Sequence, residues 1–78
     1  MIPLYGFRQG DTLGILVLAD ERDTMAALAG KLQSAASVRV APRQQVHVEV
    51  GGRRVAAGVT VLQAGLSALD RFDVREGE

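Results

Sequence analysis

Between Asp23 and Ala36 apolar side chains return at the helical interval, with Met25, Leu28, Leu32 and Ala35/Ala36 at i, i+3, i+7 and i+10 or i+11. Every other apolar run is short and bounded by turn residues, so the chain has to be built from strands around a single helix. Asp23 stands before the run, where a carboxylate accepts from the first free amides and suits the positive end of the helix dipole. Ala26, Ala27, Ala29, Lys31 and Gln33 favour the helix, while Gly30 weakens it by roughly 1 kcal/mol against alanine. Ser37, Val38 and Val40 disfavour continuation and Pro42 forbids it, so irregular structure is expected from Ser37 to Gln44. The helix is placed at Thr24 to Ala36.

Upstream, Ile2–Gln9 and Thr12–Ala19 are apolar segments separated by Gly10-Asp11, the glycine-first pair that a type II′ hairpin turn requires. That turn makes opposite residues sum to 21, setting Leu4 against Val17, Tyr5 against Leu16 and Phe7 against Gly14. Downstream, Gln45–Val50 alternates strictly, with Val46, Val48 and Val50 on one face and His47 and Glu49 on the other. Gly51-Gly52 signals a second hairpin, and Arg53–Ala56 reads as a short charged edge strand. Thr60 caps a turn of helix through Ala64, closed by Gly65, with Leu66 folding back. A last strand begins near Arg71, with Phe72 and Val74 inward and Arg71, Asp73 and Arg75 outward. The order β-β-α-β-β-(short helix)-β is that of an α+β β-grasp: a mixed sheet of four to five strands with one main helix across it, the last strand parallel to the first. Residues 1–78 are expected to form one such domain, with Met25, Leu28 and Leu32 packed on Val46, Val48, Phe72 and Val74.

Composition narrows what this domain does. A chain of 78 residues buries only about 60–65% of its unfolded surface, which leaves a small core and no room for a substrate cleft. Nine basic against nine acidic residues give a formal charge of zero, removing the attraction on which nucleic-acid and anionic-membrane binding relies. The start MIPLYGFRQG has no basic region followed by a long apolar core, and no run reaches the ~20 apolar residues that span a bilayer. With no cysteine there is no disulfide or thiolate chemistry, which suits the cytoplasm.

No constellation of catalytic residues is present. Asp20, Glu21 and Asp23 lack the ligand offsets of a cation loop and enclose Arg22; a solvated loop with a helix cap explains them. His47 is the sole histidine, so neither a histidine metal site nor a triad can be assembled. Ser34, Ser37 and Ser67 have no G-x-S-x-G context, and the glycines form no phosphate loop. The expected catalytic, metal and cofactor sets are therefore empty. Arg39, Arg43, Arg53 and Arg54 read as a solvated rim before a phosphate or acidic-partner site. Gly51-Gly52 is internal and the chain ends Arg75-Glu76-Gly77-Glu78, so the activated diglycine terminus of conjugated proteins and sulfur carriers is not expected. What stands out is the first hairpin, whose Leu13–Leu18 segment is apolar on both faces. Counting back from Asp23 puts Leu16 and Leu18 under the helix. Leu4, Leu13, Ile15 and Val17 are left on the opposite face as a candidate partner interface, rimmed by His47, Glu49, Arg71 and Asp73; scattered exposure without a partner is the bland alternative.

Laid out whole, the chain resembles the toluene-4-monooxygenase system protein B family, the small gamma subunits of bacterial multicomponent monooxygenase hydroxylases. The resemblance rests on the apolar second strand closing at Asp20, Asp23-Thr24-Met25, Arg39-Val40-Ala41-Pro42-Arg43, Ala64-Gly65-Leu66 and Leu69-Asp70-Arg71-Phe72-Asp73-Val74. It implies a ubiquitin-like fold and a non-catalytic accessory subunit, with the di-iron centre and substrate pocket on another, larger chain, so that no catalytic residue is carried over here. The MIPLYGF opening and the abundance of arginine and alanine depart from the family pattern. The partner implied is a larger hydroxylase subunit; a free-standing ubiquitin-like adaptor is the alternative function, and self-association of the isolated chain stays open.

Overall fold

Thr24, one residue after the expected cap, opens the helix: its side-chain oxygen accepts from the Ala27 amide at 3.2 Å. Asp23 instead accepts from the Asp20 amide at 2.9 Å and from Lys31 Nζ at 2.6 Å, so it closes the preceding turn and ties it to the helix. The structure, a computed structural model, describes residues 1–77; Glu78 lies outside the described residues. Within them run β1 (Ile2–Arg8), β2 (Gly14–Ala19), α1 (Met25–Ala36), β3 (Val46–Val50), β4 (Arg53–Val55) and β5 (Arg71–Glu76).

The five strands form one sheet in the order β2-β1-β5-β3-β4. β1 and β2 pair antiparallel with Ile2 opposite Ala19 and Leu4 opposite Val17, the expected sum of 21. The turn differs, however. Asp11 donates to the Arg8 carbonyl at 2.9 Å and Gly10 has φ 90°, so Gln9-Gly10 are the central pair and glycine's freedom is used at the second position. In the second hairpin Gly51 and Gly52 both have positive φ, 60° and 78°, as a type I′ connection between Val50 and Arg53 demands. β5 runs parallel to β1. Among the described residues no regular helix follows Thr60. A single turn replaces it: Thr60 and Gln63 exchange side-chain and backbone hydrogen bonds, and the Leu66 and Gly65 amides donate back to Val61 and Leu62.

α1 crosses one face of the sheet. Met25, Leu28, Leu32, Val48, Phe72 and Val74 are fully buried or nearly so, with Val46 half-buried at the margin. Leu32 of the helix and Phe72 of β5 pack directly on Gly6, where an added Cβ would lie 2.6 Å from Phe72 Cζ and 2.8 Å from Leu32 Cδ1. The arginine-proline segment is tied to the helix through one side chain. Buried Gln33 holds both backbone groups of Arg43, donating to its carbonyl at 2.9 Å and accepting from its amide at 2.7 Å. Gln33→Ala removes both partners at once and is expected to cost about 1–3 kcal/mol, read as a lower denaturation midpoint at unchanged denaturant slope.

Candidate functional site

The pleat of β1 and β2 inverts the expected assignment of faces. Leu4 and Val17 are core residues at 0% and 6% exposure, and Ile15 is half-buried against the core. Leu16 and Leu18, expected under the helix, are 53% and 55% exposed. Of the four residues expected at the interface only Leu13 is exposed, in the loop before β2. The count back from the helix fails because Asp20–Asp23 is a tight turn, with the Asp23 amide donating to the Asp20 carbonyl at 2.9 Å, and strand parity does not pass through a turn. Gly6 is the residue of the sequence that marks the inward face. A helix this close to the sheet admits glycine and Ala19 beneath it and sends the larger Tyr5, Leu16 and Leu18 outward.

The outer face therefore has two halves. On β1 and β2 lie Tyr5 opposite Leu16 and Pro3 opposite Leu18, with the Phe7 ring seated over Gly14. Leu69 adjoins them: its amide donates to the Pro3 carbonyl, and it has φ 68° and is 59% exposed. That backbone costs a non-glycine residue roughly 1–2 kcal/mol, so neither burial nor conformation explains a leucine there. On β5 and β3 lie charges. Arg71 Nη2 donates to Asp73 at 2.9 Å and its guanidinium stands 4.0 Å from the Phe7 ring centroid, a cation–π contact. Glu49 joins Arg75 Nε at 3.2 Å and His47 Nε2 at 2.7 Å. These charges therefore flank Tyr5, Leu16 and Leu18 and not Leu4, Ile15 and Val17, which they were expected to rim and which lie on the other side of the sheet.

The other sequence candidates are absorbed locally. Arg39 holds Asp11 at 2.8 Å and Arg43 reaches Glu76 at 3.2 Å, so the arginines do not converge. Asp20 accepts from Arg22, and no group of acidic or imidazole side chains among the described residues is arranged to hold a metal ion. Contrary to the expectation of no cleft, an open groove of about 450 Å³ lies between α1 and β3–β4, lined by Met25, Ala29, Gln33, Val46, Val48 and Val55 among others. Its floor is aliphatic, Gln44, Gln45, His47 and Arg54 stand among its lining residues, and its buried amide, Gln33, is already paired with Arg43.

Hydrogen bonding sets the acid response of this surface. The Arg39 guanidinium, then the Leu13 amide, hold the Asp11 carboxyl below its ordinary value; His47, with Arg75's charge beside it, does so for Glu49. A carboxyl lowered in the folded state adds stability above its unfolded value and loses it as pH falls through the folded one. Thermal melts should thus hold steady from about pH 7 to about pH 5 and fall below the carboxylate range near about pH 4. Asp11→Asn should make that fall shallower.

No curated protein matches the chain in sequence. Solved structures do match. A chain of the toluene 4-monooxygenase HD complex with the inhibitor 4-bromobenzoate superposes with a TM-score of 0.88 at 26% identity, covering 96% of each chain. Caldiarchaeum subterraneum ubiquitin matches at 0.76 and 13% identity, over 99% of this chain and 94% of its own. A chain of ATBAG1 in complex with HSP70 matches at 0.81 and 9% identity, over 99% of this chain but 41% of its own. These last two establish a ubiquitin-like fold alone. A family model covers residues 1–75, nearly every element described above, and by that match the chain belongs to the toluene-4-monooxygenase system protein B (TmoB) family.

Proposed function

We propose that this chain works by binding, with the β1–β2 half of its outer sheet face as the docking surface. It is a non-catalytic accessory subunit of an oxygenase system, and the protein it binds is a larger hydroxylase subunit. The observation that carries the docking surface is the co-exposure of Tyr5, Leu16 and Leu18 at 43%, 53% and 55% on one face, with charges alongside. Monomers seldom leave such a cluster uncovered, and an apolar centre beside a polar rim is the usual anatomy of an interface. Residues 1–78 act as one unit in this reading. It works in the cytoplasm, in keeping with the absence among the described residues of any helix able to cross a membrane.

Two measurements test it. Tagged wild-type chain expressed in the native host should co-purify with a hydroxylase subunit, and Tyr5→Asp should lose that partner while melting like wild type, because Tyr5 is exposed in the free chain. Co-purification unchanged by Tyr5→Asp would place the interface elsewhere. Purified alone, the chain should hold no stoichiometric iron and turn over no aromatic substrate; iron retained by this chain in metal analysis contradicts the accessory role.

A further inference from the structure

The sheet order leaves β2 and β4 as edges, and the two are built differently. β4 is three residues long and two of them are arginines, a short charged edge that resists further pairing. β2 has six residues, Gly14–Ala19, with neither proline nor charge.

Register decides which backbone groups β2 presents to the open side. The Tyr5 amide donates to Asp70 and the Pro3 carbonyl accepts from Leu69, so odd-numbered residues of β1 turn toward β5. The even-numbered ones then face β2, pairing Ile2 with Ala19, Leu4 with Val17 and Gly6 with Ile15. Gly14, Leu16 and Leu18 are left with N–H and C=O groups pointing away from the sheet. Lys31 confirms that direction: it reaches from α1 to the Leu18 carbonyl at 3.1 Å. The free groups centre on Leu16, and Leu16 and Leu18 are also the residues whose side chains are exposed on the docking face.

Donors and acceptors that alternate along an edge, repeating every second residue or roughly 7 Å, match an extended polypeptide and little else. We propose that β2 receives an added strand from the larger hydroxylase subunit: an extended segment pairing with Leu16 and the Leu18 amide, its alternate side chains apolar where they lie over Leu16 and Leu18. Lys31, already joined to Asp23 at 2.6 Å, occupies the Leu18 carbonyl and ends the pairing there. The proposal rests on the docking reading above and extends it from the face to the edge.

Residue-resolved hydrogen exchange on the free chain and on its complex with the hydroxylase of its own system tests this. In both states the Ile15 and Val17 amides should exchange slowly, being paired to β1. The Leu16 and Leu18 amides should exchange fast in the free chain and slow by on the order of tenfold or more in the complex. A second measurement compares Leu16→Pro with Leu16→Ala. Proline is tolerated on an edge strand where the N–H faces outward, so Leu16→Pro should weaken association about tenfold beyond Leu16→Ala if that amide is paired. Unchanged exchange at Leu16 and Leu18 in the complex overturns strand addition, and if Tyr5→Asp still abolishes association the docking face stands without it. Protection that appears in the free chain and rises with its concentration assigns the edge to a second copy and also overturns the proposal. Should no hydroxylase subunit associate, both readings fall together.

Discussion

Val17→Asp is expected to unfold the free chain, whereas Leu16→Asp, one residue away, should leave its melting curve nearly unchanged. Val17 is 6% exposed beneath the helix and Leu16 is 53% exposed on the outer face. At position 17 the substitution forfeits about 1.5–3 kcal/mol of apolar burial and places a carboxylate where solvation is lost at a cost of several kcal/mol. A domain stabilised by roughly 0.05–0.15 kcal/mol per residue, about 4–12 kcal/mol at this length, has little left after that. Far-ultraviolet circular dichroism across a thermal melt distinguishes the two variants. Similar loss in both would mean the leucines are covered in the free chain, and a native-like melt for Val17→Asp would mean the faces are assigned the wrong way round.

Phe72→Ala carries the second largest expected effect, about 3–5 kcal/mol, because the ring fills the space between the helix and the glycine below it. Phe72 is fully buried, and a methyl group at Gly6 would meet its Cζ at 2.6 Å. The same contact predicts the converse. Gly6→Ala overfills the site and should cost roughly 1–3 kcal/mol, yet in a chain already carrying Phe72→Ala the added methyl should cost less, or stabilise, by entering the space left behind. Chemical denaturation of the two single variants and the double variant measures this coupling directly. Additive losses would show that Gly6 and Phe72 do not share one packing site.

What the linear chain determines about this protein is local and periodic. Met25–Ala36 could only be a helix, because its apolar residues recur at that interval, and Val46–Val50 a half-buried strand. Gly51-Gly52 could only be a tight hairpin, since both positions need a backbone that glycine alone adopts freely. The motif residues of the family resemblance also prove largely structural: Arg39 pins Asp11, and Arg43 is held by Gln33. The direction of the first hairpin was decided elsewhere. Leu13–Leu18 is apolar at every position but Gly14, so alternation says nothing about which side faces in, and the turn at Asp20–Asp23 erases the parity that the helix would otherwise impose. Only the approach of α1 to Gly6, set by Leu32 from the helix and Phe72 from a strand more than sixty residues later, turns Leu4 and Val17 inward and leaves Tyr5, Leu16 and Leu18 on the surface.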